Sequence, residues 1–192
     1  DSPTANNRSS ITIAVTDNGA SKATNTVSIT AVNDAPVTAS GGNTLAYTEN
    51  DSATPINTSL TVSDLDSATL SSATVSITAN YASTEDVLAF SNTNSTTFGN
   101  ISSSWNSATG VLTLTSSGST ATVAQFQAAL RAVTYFNSSN IPSTSNRTVS
   151  FQVNDGGAAN AASNISTSTI SVTAVNDAPV TASGGNTLAY TE

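Results

Sequence analysis

The sequence predicts an all-β fold, a Greek-key β-sandwich present as tandem repeats. Val, Ile and Leu alternate with Thr and Ser in short runs along most of the chain, the period-two pattern of strands with one buried face. Clusters of Gly, Asn and Asp separate the runs, and seven or eight short strands in about 140 residues suit two packed antiparallel sheets. The repetition is explicit. Residues 31–49 read AVNDAPVTASGGNTLAYTE, and residues 174–192 read the same nineteen letters at an offset of 143. Self-similarity of this kind is the signature of a repeat architecture.

The match continues upstream of both copies. TVSIT at 26–30 aligns with TISVT at 169–173, and ITIAVTDNG at 11–19 aligns with VSFQVNDGG at 149–157 at an offset of 138. Five residues are therefore inserted after Asp155 in the second copy, which places the insertion in a hairpin loop. Arg8 finds its counterpart in Arg147. On this arithmetic residues 1–31 carry the C-terminal strands of one repeat, 32–174 form one complete repeat, and 175–192 are the linker and first strand of the next. The end pieces hold too few strands to bury a core alone, so the chain reads as a window on a longer array.

Strands of the complete repeat are expected at 44–48, 60–63, 73–79, 87–90, 111–115, 132–136, 148–153 and 169–175. Turn chemistry frames them. Ser-Gly-Gly-Asn at 40–43 precedes the first, Asn-Asp at 50–51 follows it, Ala-Thr-Gly at 108–110 introduces the fifth, and Asn-Asp-Gly-Gly at 154–157 ends the seventh. One stretch breaks the alternation. VAQFQAALR at 123–131 combines helix formers with apolar spacings of three and four, which predicts a helix of one or two turns. Bulky aromatics are few, with 1 Trp, 4 Tyr and 5 Phe, so Phe90, Trp105, Phe126, Tyr135 and Phe151 are the expected core anchors.

Composition excludes several function classes. The chain has no Cys and no His, which removes Ser-His-Asp and Cys-His nucleophiles, zinc fingers, haem and iron–sulfur ligation and thiol redox chemistry. Net charge is -8, and the basic residues Arg8, Lys22, Arg131 and Arg147 stand singly, so no patch exists to neutralise nucleic-acid phosphates. Apolar runs are far shorter than the roughly 20 residues that span a bilayer, so membrane insertion is not expected of this segment.

Charged residues make up only 8% of the chain, so their positions carry information. Most carboxylates fall at expected strand ends, and several recur with the repeat: Asp17 with Asp155, Asp34 with Asp177, Glu49 with Glu192. Asp64 and Asp66 form an Asp-x-Asp at a strand end, where alternation puts side chains two apart on one side about 6.5 Å apart. Carboxylates so close repel unless a cation lies between them. Oxygen-only donors select a hard ion, and flexible sets of six to eight select calcium over magnesium. The same residues also read as capped turns, since Asn and Asp bond their own backbone. The adjacent Glu85 and Asp86 read as a solvated loop, although paired acids also occur in glycosidases.

A family resemblance now enters. Val-Asn-Asp-Ala-Pro at 32–36 and 175–179, Thr-Glu-Asn at 48–50, Val-Ser-Asp-Leu-Asp at 62–66 and Val-Asn-Asp-Gly at 153–156 resemble, in order and rough spacing, the calcium-binding motifs of cadherin repeats. They most resemble the cadherin-like tandem repeats of large bacterial surface adhesins. That resemblance implies a cadherin- or Ig-like sandwich with calcium held between successive domains. Carried over by position, Asn33, Asp34, Asp64, Asp66 and Asp155 would serve the upstream junction, and Glu49, Asn176 and Asp177 the downstream one, with Asp17 serving a junction further upstream. The departures are Ala31 and Ala174 where the family linker begins with Asp, and Ser, Gly, Thr and Ala at 115–122 where the family has an Asp-Arg-Glu motif. Fewer carboxylates imply fewer or weaker ions.

The expected function is a calcium-stiffened extender repeat of a bacterial cell-surface or secreted adhesin, extracellular and not an enzyme. Its partners are neighbouring repeats of the same chain. The alternative is a β-sandwich module whose loops, chiefly 91–104 and 156–164, bind a carbohydrate or protein ligand.

Overall fold

The computed structural model describes residues 31–181, 184–185 and 189–191. Asp17, Glu192 and the strands expected before residue 31 lie outside the described residues. In chain order the elements are β1 (Val37–Ala39), β2 (Thr44–Thr48), β3 (Thr54–Pro55), β4 (Thr61–Ser63), β5 (Ser72–Ala79), β6 (Asp86–Ala89), α1 (Ser95–Phe98), β7 (Ile101–Asn106), β8 (Val111–Ser116), α2 (Val123–Arg131), β9 (Thr134–Asn137), β10 (Arg147–Asn154) and β11 (Ser166–Thr173). A six-stranded sheet runs β2-β11-β10-β5-β8-β7; a three-stranded sheet β3-β9-β6 and a two-stranded sheet β1-β4 complete an all-β sandwich. Within the large sheet every pairing is antiparallel except that of β2 with β11, which is parallel.

Alternation explains the layering. In β10 Arg147, Val149, Phe151 and Val153 point inward while Thr148, Ser150, Gln152 and Asn154 face out, and β5 does the same with Ala73, Val75 and Ile77 inside. Across the core they meet Leu88, Tyr135, Leu60 and Leu70, with Phe126 and Leu130 supplied by α2. The helix starts where the sequence predicts. Thr122 accepts the Gln125 N–H while the Gln125 side chain accepts the Thr122 N–H, a reciprocal cap that satisfies two orphan donors of the first turn.

Several expectations need correction. The last strand begins at Ser166 and stops at Thr173, not at 175, because Glu49 draws the next residues out of the ladder: its carboxylate takes the Val175 N–H. Three strands, β1, β3 and β7, have too short an apolar signal to be read, and β7 is largely Ser. Segment 91–104 is accordingly not one open loop, since it holds α1 and the first part of β7. Trp105 is no core anchor. It lies on the edge strand β7, half-buried, with its ring edge-to-face on Tyr81 at 6.1 Å. The anchor that was missed is Tyr47, 1% exposed and edge-to-face on Tyr135 at 5.0 Å.

Asp86 corrects the solvated-loop reading most strongly. It is 1% exposed and pairs with the fully buried Arg147, Nε to Oδ2 at 3.2 Å. Tyr135 Oη (2.6 Å) and Asn137 Nδ2 (2.8 Å) donate to Oδ1, and the Ala82 N–H (2.9 Å) donates to Oδ2. Arg147 also donates to the carbonyls of Ser143 and Ser145. Burial, and then the Asp86 carboxylate beside it, push the Tyr135 phenol well above its ordinary value.

Small edges are closed by side chains. The Asn164 amide donates to the Thr38 carbonyl and accepts the Thr38 N–H, imitating a neighbouring strand along β1. On β4, Gln127 Oε1 accepts the Val62 N–H and Arg131 Nε donates to the Leu60 carbonyl. Side chains thereby occupy backbone groups on both open edges of the two-stranded sheet.

Breaking the buried pair leaves an uncompensated charge, which costs about 3–5 kcal/mol. Asp86→Ala is expected to lower stability by that amount in urea unfolding. Replacing both partners by apolar residues, Asp86→Leu with Arg147→Met, is expected to cost less than the single change.

Candidate functional site

The strands place the acidic residues at two opposite poles. β4 delivers Asp64 and Asp66 to the pole where β10 delivers Asp155 and where the linker enters. β2 delivers Glu49 to the other pole, where β11 releases the chain at Thr173.

At the entry pole all five residues named from sequence join in one chain of contacts. Asn33 Nδ2 donates to Asp155 Oδ2 at 2.8 Å and to the Ala159 carbonyl at 3.0 Å. The Asp34 N–H donates to Asp66 Oδ2 at 3.1 Å. Asp64 Oδ1 accepts the N–H groups of Asp66 (3.1 Å) and Ser67 (2.9 Å), so the Asp-x-Asp is drawn together by a side-chain-capped turn and not by strand alternation. Asp155 Oδ1 likewise caps its own turn through the Gly157 N–H at 2.7 Å.

Two residues of this pole escaped the sequence reading. Asn160 Nδ2 donates to the Asn33 carbonyl at 3.0 Å, so the five-residue insertion after Asp155 helps grip the linker. Gly157 lies against Asn33 so closely that a Cβ there would meet its amide at 2.8 Å. The repeat of Gly after Asp155 was the available signal.

The electrostatics are strained at one atom. Asp64 Oδ2 is buried and has no hydrogen-bond partner. Burial raises the Asp64 carboxyl above its ordinary value and the neighbouring Asp66 carboxylate adds to the rise, against the pull of the two backbone donors. A buried carboxylate oxygen with no donor is costly while it stays ionised.

At the exit pole Glu49 is 4% exposed. Its Oε2 accepts the Val175 N–H at 2.8 Å, while Oε1 is buried without a partner. Asn176 and Asp177 are exposed, and the Asn176 amide bonds the Asp177 carbonyl at 3.3 Å. The structure thus joins Glu49 to the second linker through Val175. Among the described residues no three acidic side chains converge as a complete ligand set.

The outer face of the large sheet carries a shallow cavity of about 130 Å³, lined by Ser72, Thr74, Gln152, Asn154 and Ala162 among others. That is below the roughly 300–1,000 Å³ of small-molecule sites. No helix among the described residues is long and apolar enough to cross a membrane.

Comparison with known proteins places these features in a narrow context. No family model matches the chain. Over 147 residues, 76% of its length, the chain is 35% identical to Halomucin from Haloquadratum walsbyi. That match spans only 2% of Halomucin. Among solved structures, the seventh ScaB type I cohesin from Pseudobacteroides cellulosolvens aligns over 78% of this chain and 99% of its own, at 11% identity and a TM-score of 0.39. The sandwich assignment rests on the strand pairing itself.

The raised Asp64 carboxyl has a definite sign. Its ionised form disfavours the folded state, so the penalty grows as pH rises through the ordinary value of 3.8 and is fully present at neutral pH. Without added metal, Asp64→Asn is expected to melt higher than the parent at pH 7. The difference is expected to vanish when the scan is repeated at a pH below 3.8.

Proposed function

We propose that this chain is a structural extender module of an extracellular protein, a sandwich repeat whose two poles bind calcium at junctions with its neighbours. One observation carries the reading: each pole keeps a buried carboxylate oxygen without a donor, Asp64 Oδ2 and Glu49 Oε1, beside one of the two Asn-Asp linkers. Buried anionic oxygens of this kind are stable when a cation supplies the missing charge. The donors at hand are carboxylates, amides and backbone carbonyls, which suit a hard ion.

The fit is partial within one repeat, and the reading accounts for it. Asn33 turns its amide nitrogen to Asp155, doing there what a cation would do; rotation of the amide would present Oδ1 to an ion instead. Remaining ligands would come from the preceding and following repeats, so the site is complete only across a junction. Ion binding then favours aligned neighbours, by roughly 1.4 kcal/mol per site at ten times the dissociation constant. The nineteen-residue identity between linkers favours this spacer role, because loops selected for a ligand need not repeat. Support from the Halomucin match is its scale: a segment of 147 residues is a small module of that far longer chain. Nothing in the donor chemistry calls for a catalytic role.

A chain carrying two whole repeats is the test, followed by melting temperature and small-angle scattering with calcium and with chelator. Calcium is expected to raise the melting temperature and lengthen the particle. Asp64→Asn and Glu49→Gln should each reduce the response, and the Asp64→Asn variant should be the more stable of the two without metal. A two-repeat chain indifferent to calcium would sink the metal reading and leave a plain spacer.

A further inference from the structure

The two copies of the repeat part company at a place that the structure makes into a cavity. Along β10 the inward Val149, Phe151 and Val153 have apolar counterparts in the first copy, Ile11, Ile13 and Val15. The outward Gln152 and Asn154 instead stand where that copy has Ala14 and Thr16. The insertion after Asp155 lengthens the connection from β10 to β11, and Ala162 of that connection folds back to bridge Asn154. Gln152, Asn154 and Ala162 all line the cavity on the outer face of the large sheet, facing Ser72 and Thr74 of β5. We infer that this cavity is a subsite for one unit of a neutral glycan, whose remaining units lie across the outer face toward β7.

The chemistry of the lining selects the ligand class. Its polar groups come as two neighbouring cross-strand pairs, Ser72 with Asn154 and Thr74 with Gln152. Bonds to the backbone orient both amides. Gln152 Nε2 donates to the Ser163 carbonyl at 2.9 Å, and Asn154 Oδ1 accepts the Gly156 N–H at 2.8 Å. Gln152 therefore turns Oε1 to accept and Asn154 turns Nδ2 to donate, while the Ser72 and Thr74 hydroxyls can do either. Vicinal sugar hydroxyls, each of which donates and accepts, match such a set, and the Ala162 methyl can meet ring C–H groups. Other classes find no complement. Every lining residue is uncharged, and the arginines among the described residues are engaged elsewhere, Arg147 with Asp86 and Arg131 with the Leu60 carbonyl. A phosphate or carboxylate thus meets no counter-charge on a chain of net charge -8. An apolar peptide side chain would desolvate these polar groups without bonding them, which is costly.

Size points to a unit within a chain. The cavity of about 130 Å³ equals about four waters at roughly 30 Å³ each, the scale of one sugar unit and not of a drug-sized ligand. The outer face continues it. Ser72 pairs with Thr115 and that with Ser102, and Thr74 pairs with Thr113 and that with Ser104, so two ranks of hydroxyls run from β5 to the edge strand β7. From β10 to β7 they extend about 14 Å at the ordinary strand spacing, which is longer than one ring. The linkers repeat letter for letter, as a spacer requires, whereas the cavity is built from residues that do not repeat, as a binding function of this repeat requires.

The test is an NMR titration of the isotope-labelled chain of 192 residues with short neutral oligosaccharides of glucose, mannose, galactose and N-acetylglucosamine, with uronate oligomers as the anionic comparison. A neutral oligomer is expected to give saturable shifts at the amides of Ser72, Thr74, Gln152, Asn154 and Ala162. Thr74→Val removes one hydroxyl and is expected to weaken binding about fivefold, the worth of one neutral hydrogen bond, at unchanged melting temperature. Thr74→Phe should fill the cavity and abolish binding. Because no carboxylate lines the cavity, the titration should read the same in calcium and in chelator, which separates this inference from the metal reading. A panel without saturable shifts, shifts that map elsewhere, an equal response to uronates, or a Thr74→Phe chain that binds as the parent does would each overturn it. A response lost in chelator would move the sugar to the acidic pole and overturn it as well.

Discussion

The buried pair of Asp86 and Arg147 bolts the two layers of this sandwich together. Asp86 opens β6 and Arg147 opens β10, strands of different sheets, and the carboxylate also takes donors from Tyr135 and Asn137 on β9. Arg147 extends the bolt outward, holding the carbonyls of Ser143 and Ser145 in the long connection between β9 and β10. Tyr47 then rests on Tyr135, so even the edge strand β2 depends on the same cluster. A chain without cysteine has no covalent means of tying sheet to sheet. Here a charge pair with directional bonds to β9 and to the connection before β10 does so.

Much of this was legible from residue order because alternation is a local property. β5, β8, β10 and the helix α2 announce themselves by period, and the helix also by its Thr and Gln cap. Position across the sandwich is not local. Trp105 and Tyr47 sit in similar company of Ser, Thr and Ala, yet one lies on an edge and the other in the core, since that depends on which strands neighbour them. Asp86 read as solvated because nothing near it in sequence is basic; its partner is 61 residues away.

The acidic residues show the same division. Their gathering at strand ends follows from where turns fall, and the resemblance groups Asn33, Asp34, Asp64, Asp66 and Asp155 at one junction, the pole where the structure joins them by hydrogen bonds. What could not be read is how they meet. Asn33 serves as a donor to Asp155, the Asp-x-Asp closes through a turn, and the grip on the linker comes partly from Asn160 in an insertion with no counterpart in the other copy. Those details depend on backbone directions in loops, which composition does not encode.

The parallel pairing of β2 with β11 bears on how a load applied from end to end would be resisted. Tension applied across the two poles would enter beside Asn33 and leave beyond Thr173, and would pull the two adjacent strands in opposite directions along their common axis. Their five pairs, Thr44 with Thr169 through Thr48 with Thr173, then lie in shear and must give way together. An antiparallel hairpin pulled from its open end would instead peel one bond at a time. The order of strands at one edge of the sheet thus sets that edge in shear, and not in peeling, under an end-to-end pull.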